Sequence, residues 1–221
     1  MRLLNSLLCG LLLILLDLYA PKTVIAAEFA ASAQQITPLL LGSPVPDASL
    51  HRIDGSSVSL SQLIAAKPAI LVFYRGGWCP YCNLQLSGLR LIENDLAKEG
   101  YQLIAISPDR PEELRKTLDR DALSYTLVSD SSAQAMKAFG IAYRVDEVTL
   151  SKYANMGIDL DKASGENHHA LPVPAVFIID AEGVIQFEYV HPDYRVRVPA
   201  DVILTAARAI ARQKHRLNPK H

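Results

Sequence analysis

Cysteine is scarce in this chain. Three occur in 221 residues, at Cys9, Cys79 and Cys82. No second C-x-x-C and no H-x-x-x-H accompanies the pair at 79 and 82, so a structural zinc site is short of its usual four donors. Neither sign of charge is in excess: 22 basic and 23 acidic residues give a net of −1 with the histidines neutral. A general nucleic-acid binder carries a basic surface, so that class is set aside. There is no P-loop, no G-x-G-x-x-G and no internal repeat, and nothing points to a flavin, haem, nucleotide or other cofactor. What is present is ordinary for a globular protein, 50% hydrophobic and 20% charged, in a length that suits one well-buried domain.

The first 27 residues read as a targeting segment. Arg2 precedes an apolar stretch from Leu3 to Leu16, interrupted only by Asn5, Ser6, Cys9 and Gly10, and small residues follow at Ala26 and Ala27. The pattern is that of a secretory signal cleaved after Ala26 or Ala27. An uncleaved membrane anchor is the competing reading, although the apolar core is short of the ~20 residues that a span requires. The expected location is therefore periplasmic or extracellular, with no stable membrane insertion once the signal is removed. Cleavage takes Arg2, Lys22 and Asp17 from the totals, leaving 20 basic and 22 acidic residues, a net of −2. It also removes Cys9, so both remaining cysteines lie in the C-x-x-C. Behind the signal we divide the chain into an N-terminal extension at 28–41, one domain at 42–212 and a basic tail at 213–221.

The chain is organised around residues 70–82, Ile-Leu-Val-Phe-Tyr-Arg-Gly-Gly-Trp-Cys-Pro-Tyr-Cys. The unbroken apolar start suits a strand buried on both faces. Arg75, Gly76 and Gly77 break it. Pro80 is well placed at the first position of a helix, and Leu86, Leu89 and Ile92 (or Leu96) then recur at helical spacing. Cys79 falls at or near the helix N-cap, where free N–H groups and the helix dipole favour a thiolate. Cys82, three residues on, shares its face. Such a pair can cycle between dithiol and disulfide. Half of a zinc site, or two small core residues, are the other readings of a lone C-x-x-C. The redox reading alone accounts for Trp78-Cys79-Pro80-Tyr81-Cys82 directly after a strand.

The string FYRGGWCPYCN, from Phe73 to Asn83, resembles the peroxiredoxin-like branch of the AhpC/TSA family, within the thioredoxin fold. Similar segments are Gly42 to Asp47 with Asp54-Gly55, Ala105 to Asp109, Leu127 to Asp130 with Phe139 to Ile141, and Pro174 to Asp180. The likeness covers roughly residues 38–210. It implies an α/β, thioredoxin-like fold with a central mixed, mainly parallel sheet and helices on both faces. It implies a thioredoxin-dependent peroxidase acting on hydrogen peroxide or organic hydroperoxides. Cys79 is then the peroxide-attacking nucleophile and Cys82 the resolving partner in a redox-active disulfide, with Trp78, Pro80, Arg75 and Pro174 in support. The implied partners are a hydroperoxide and a thioredoxin-like reductant, and a homodimer is compatible with the likeness. No metal is implied. Pro174 is expected to be cis and packed against the cysteines.

Two departures from the family pattern stand out. The threonine whose hydroxyl holds the peroxide is replaced by Gly76, and the proline before it by Val72. The usual active-site arginine has no counterpart in His168-His169-Ala170-Leu171, which leaves Arg75, Arg195 and Arg197 as candidates. Trp78 to Cys82 instead resembles a thioredoxin or glutaredoxin centre. An exported thiol–disulfide oxidoreductase is thus the first rival reading. A copper-binding assembly factor, with Cys79, Cys82 and His168 or His169 as ligands, is the second.

Elsewhere the signals are local. Residues 28–41 allow a short helix, with Pro38 limiting it. Asp54-Gly55 marks a turn between short strands. Ser59 or Ser61 caps a helix reaching Ala66, and Gly100 closes the helix that begins at Pro80. Tyr101 to Ser107 reads as a strand, and Pro111 to Leu118 as a helix. Ser107 and Asp109 between them face substrate at the strand's carboxyl end, or Asp109 and Pro111 simply begin that helix. Tyr125 to Val128 is a further strand, and Ser131 or Ser132 is expected to cap the helix ending at Phe139-Gly140. From Tyr143 to His169 no period is visible, which suggests an insertion, with room for a helix of its own, that shapes access to the site. His168 and His169 are candidates for reaching the cysteines or for plain solvated loop. Strands at 175–179 and 184–190 and a helix at 201–212 complete the expectation.

Overall fold

The computed structural model describes residues 28–65 and 67–217. The expected signal at 1–27, Ala66 and the end of the basic tail at 218–221 lie outside them.

Strand β3 (Ala69–Phe73) is the middle of the molecule, and all five of its residues are buried. Its apolar run serves two faces at once. Ala69, Leu71 and Phe73 point into one core with Phe139 and Phe177. Ile70 and Val72, followed by Tyr74, point into the other with both cysteines. The period of two along an extended chain produces this division without polar residues to mark it. In the first core the rings of Phe73, Phe139 and Phe177 lie 4.9–6.0 Å apart.

Around β3 a seven-stranded sheet forms in the order β2-β1-β5-β4-β3-β8-β9. Its other members are β1 (Ser49–Arg52), β2 (Ser57–Ser59), β4 (Gln102–Ser107), β5 (Thr126–Ser129), β8 (Ala175–Ile179) and β9 (Ile185–Val190). The thioredoxin-like α/β architecture and the mixed sheet are as the sequence implied. The proportion is not: only β3–β4 and β4–β5 are parallel, and the other four pairings are antiparallel. Helical crossovers give the parallel pairs, whereas the turns after Arg52 and Asp180 return the chain beside itself. A separate two-stranded sheet joins β6 (Ala142–Arg144) to β7 (Ala170–Pro172).

The helices are α1 (Leu60–Ile64), α2 (Pro80–Lys98), α3 (Pro111–Asp121), α4 (Gln134–Ala138), α5 (Glu147–Asn155), α6 (Leu160–Ser164) and α7 (Ala200–Leu217). Ser59 caps α1 in a reciprocal box with Gln62. Buried Cys82, Leu86, Leu89 and Leu96 are the inner face of α2, with Ile92 partly covered. Helix α4 is held otherwise than expected: the Asp130 carboxylate accepts from the N–H groups of Ala135 and Met136 at 2.9 and 2.8 Å, and neither Ser131 nor Ser132 is its cap.

Residues 28–41 contain only a three-residue 3-10 turn, Ala33–Gln35. The rest lies extended along the domain, with Thr37 N–H on the Gly140 carbonyl and Leu39 N–H on the Phe139 carbonyl. Gly140 permits this approach, since a Cβ there would stand 2.0 Å from the Thr37 oxygen. The stretch after Tyr143 does carry helix of its own. It holds α5 and α6, capped by Asp146 and Asp159.

Candidate active site

Two cysteine thiols meet at the mouth of α2. Cys79 is the N-cap, extended at φ −93° and ψ 114°, and Pro80 takes the first helical position, where its missing N–H costs nothing. The Cys79 carbonyl accepts from the N–H groups of Cys82 and Asn83, which fixes the first turn. Both sulfurs are free thiols, and Cys79 and Cys82 are 1% and 0% exposed.

The loop that delivers Cys79 is clamped from three sides. Gly77 N–H donates to Asp109 Oδ2 at 2.7 Å. Its carbonyl accepts from Asn83 Nδ2 and from Arg120 Nη1, each at 3.0 Å. Thr117 of α3 packs so closely that a Cβ on Gly77 would lie 1.9 Å from its Oγ1. Gly76 has φ +155°, and a Cβ there would meet the Trp78 indole nitrogen at 2.2 Å. The glycines therefore let the chain pass between Asp109, Thr117 and the Trp78 ring.

Helix α3 begins at Pro111 as the sequence suggested, but its N-cap is Arg110 and not Asp109. The Asp109 side chain turns inward instead, accepting from Gly77 and from the Trp78 indole N–H, while its own N–H donates to Ser107 Oγ. Burial pushes this carboxyl up to about 7, against the pull of the Gly77 N–H, and Glu113 adds to the rise. A carboxyl whose folded value exceeds the unfolded one stabilises the fold fully below about 3.8, and that contribution is lost as pH rises through about 7. Asp109→Asn removes this titration and leaves one acceptor for two donors. The melting-temperature advantage of wild type over the variant should therefore shrink as pH rises from about 4 to about 7. An advantage that stays constant across that window would show that Asp109 is not raised.

The electrostatics separate the two thiols. Cys79 is lowered from 9.0 to about 6, chiefly by the hydrogen bond from the Cys82 side chain. Burial opposes this, and the Cys82 N–H, Arg75 and Arg197 assist it. Cys82 is pushed well above the usual thiol range by its own burial and by donating to Cys79. At neutral pH the pair therefore consists of one thiolate and one thiol.

Arg75 is 2% exposed, and its guanidinium lies 4.2 Å from the centroid of Tyr194, 5.0 Å from Trp78 and 5.4 Å from Tyr153. Its Nη2 donates to the Tyr153 hydroxyl. Arg197 approaches from the segment before α7, with Nη2 3.3 Å from Cys82 Sγ and Nη1 on Gln85. Arg195 does not join them; it is paired with Asp193. Trp78 and Pro80 flank Cys79 in the chain, and the charge of Arg75 is felt by both sulfurs.

One other expectation is corrected. Pro174 follows a trans bond, since no cis peptide occurs among the described residues. The chain runs extended from β7 into β8, with Val173 N–H on the Ile141 carbonyl and the Pro174 carbonyl receiving the His191 N–H. That straight passage, rather than a turn, suits the trans form. The two histidines are engaged away from the sulfurs. His168 Nε2 bonds the Ser131 carbonyl and its Nδ1 accepts from Ala170 N–H, while His169 faces Asp161 at 2.9 Å. Among the described residues no three His, Cys, Asp or Glu side chains converge as a metal site.

The sequence reading did not reach Tyr153, Tyr194 or the Asp109 clamp. An aromatic residue three places before Met156 carried no signal of its own, and only the folded path of 143–169 brings Tyr153 to Arg75.

A low-pKa thiolate beside a protonated thiol, at a helix N-terminus on a thioredoxin-like sheet, defines a thiol-based oxidoreductase. The chain belongs to the AhpC/TSA family, which it matches over residues 41–188, and it is a thiol-dependent peroxidase of the peroxiredoxin kind. It is 30% identical to Peroxiredoxin Bcp of Escherichia coli strain K12 over 169 residues, 76% of this chain and 96% of that protein. It is 26% identical to the chloroplastic Peroxiredoxin Q of Triticum aestivum over 148 residues, 67% of this chain and 58% of that one. The fold is shared with reduced Prx3 of Vibrio vulnificus, solved in complex with hydrogen peroxide, at a TM-score of 0.63, 18% identity and coverage of 76% and 99% of the two chains. Peroxidoxin BcpB of Mycobacterium tuberculosis gives 0.59 and 21% over 77% and 97%.

Proposed function

We propose that the enzyme reduces hydrogen peroxide or an organic hydroperoxide through a Cys79/Cys82 dithiol–disulfide cycle. The Cys79 thiolate attacks the terminal oxygen of the hydroperoxide. The O–O bond breaks, an S–O bond forms, and the departing alkoxide or hydroxide takes up a proton. Cys79 is now a sulfenic acid. Cys82 loses its proton and attacks that sulfur, and the hydroxyl leaves as water. A reduced thioredoxin-like protein, itself oxidised in the exchange, returns both sulfurs to thiols. Export, as the leader implies, would place the pair in oxidising surroundings, where the disulfide is the resting form unless electrons are supplied.

The observation that carries this reading is the contrast within the pair. The attacking sulfur is ionised and the second is held protonated in contact with it. Family membership weighs against the exported disulfide oxidoreductase, since the relatives this chain matches are peroxiredoxins. With one reductant and matched enzyme, peroxide consumption should exceed insulin reduction by a wide margin. Insulin turnover equal to or above peroxide turnover would reverse the assignment.

A further inference from the structure

Gly76 leaves this peroxidase without the hydroxyl that the family pattern places near the nucleophile. The segment between β6 and β7 brings one from another direction. Tyr153 lies on α5, whose residues are otherwise exposed or half-buried. Its ring is fixed in a small apolar cluster with Val145, Leu150, Ile158, Leu160 and Leu171, and stands 5.6 Å from the Trp78 ring. Its oxygen accepts from Arg75 Nη2. An oxygen that accepts from arginine keeps its own proton free to donate, and among the described residues that proton has no acceptor. Arg75 Nε, also buried, has no partner there either. Two directed donors are thus gathered against the ring of Trp78, the residue before Cys79, and the Cys79 charge acts on both groups.

We propose that the Tyr153 hydroxyl binds the hydroperoxide against Cys79, in place of the threonine that Gly76 replaces. The assignment rests on the peroxidase reading and adds to it the residue that orients the substrate. In the attack, the Cys79 thiolate displaces RO⁻ from the terminal oxygen to give Cys79–S–OH. Tyr153 donates a hydrogen bond to the oxygen that gains negative charge, and solvent supplies the proton that makes ROH. Preorganised donors of this kind act where charge develops, and losing one is costly.

Tyr153→Phe tests the assignment, since phenylalanine retains the ring against Trp78 and loses only the hydroxyl. Trp78 is the chain's single tryptophan and adjoins Cys79, so its fluorescence follows the first oxidation directly. The peroxide rate constant should fall by about 100-fold. Alkylation of Cys79 by iodoacetamide, which needs the thiolate but no peroxide donor, should change less than about twofold, with its pH midpoint in place. Parallel loss of both rates would mean that Tyr153 acts only through Arg75 on the thiolate, and would overturn the assignment. An unchanged peroxide rate would overturn it as well. If the wild-type protein alkylates readily yet leaves peroxide intact, the peroxidase reading itself fails and this assignment with it.

Discussion

Replacing Cys79 with serine is expected to end peroxide consumption, by a factor on the order of 10³ or more, while Cys82→Ser should still complete one turnover. Removal of a nucleophile costs at least this much in enzymes where it forms the covalent intermediate. A serine hydroxyl is not ionised near neutral pH, so the positive charge of Arg75 and the helix mouth has no anion to stabilise. The Cys82→Ser variant retains that anion. Serine keeps a hydroxyl donor in the place of the Cys82 thiol, which is the largest cause of the low Cys79 value. The first oxidation should thus proceed at close to the wild-type rate. It should then stop at the sulfenic acid, which a dimedone adduct on Cys79 will report by mass spectrometry, and excess peroxide should drive it on to the sulfinic acid. Steady turnover with a thioredoxin-like reductant should be lost in both variants. The division of labour fails if Cys82→Ser sustains turnover like wild type, or if Cys79→Ser forms a sulfenic acid at Cys82.

Much of this site could be read from the residues in order, and the part that could not has a physical reason. A strand of five apolar residues, two glycines and a proline between cysteines are all local signals, so β3, the turn and the start of α2 followed from composition and spacing. The thiolate at the N-cap followed from helix electrostatics. Capping residues gave mixed results. Ser59 and Gln62 are neighbours and their box was visible, whereas Asp130 reaches forward to Ala135 and Met136 across a left-handed Ala133. The insertion left room for a helix, but the bounds of α5 were not legible because none of its residues is buried, and a helix without a buried stripe has no apolar period. The sheet's antiparallel majority depends on which edge each short strand joins, and strand order is not encoded in any one strand. Tyr153, Tyr194 and Arg197 reach Arg75 or Cys82 from 78 to 119 residues away in sequence, so no spacing rule connects them.

Arg75→Met is expected to separate stability from activity. The wild-type guanidinium is buried among aromatic rings and makes one side-chain hydrogen bond, to Tyr153, with no carboxylate paired to it among the described residues. Keeping such a charge out of water opposes folding, and well-packed apolar replacements of buried charges are often neutral or stabilising by about 1–4 kcal/mol. Methionine has similar reach and a flexible thioether that lies readily against rings. The variant should therefore melt no lower than wild type when both are reduced. Its Cys79, deprived of one of the two arginines that hold it down, should titrate above the wild-type value of about 6. The reactive thiolate grows in as pH rises through the Cys79 pKa. The peroxide rate should accordingly rise through about pH 6 in wild type and at higher pH in the variant. At pH 6 the shift alone removes up to about tenfold for each pKa unit. A further loss should persist at the high-pH plateau, where the thiolate is fully formed but the Tyr153 hydroxyl has lost the guanidinium that holds it. A pH-rate profile on both proteins, with melting curves on the same samples, checks the two halves together. If the variant is markedly less stable, Arg75 is a packing element whose charge is satisfied in some other way. If the profiles coincide, the cation that replaces the family's missing arginine is Arg197 instead.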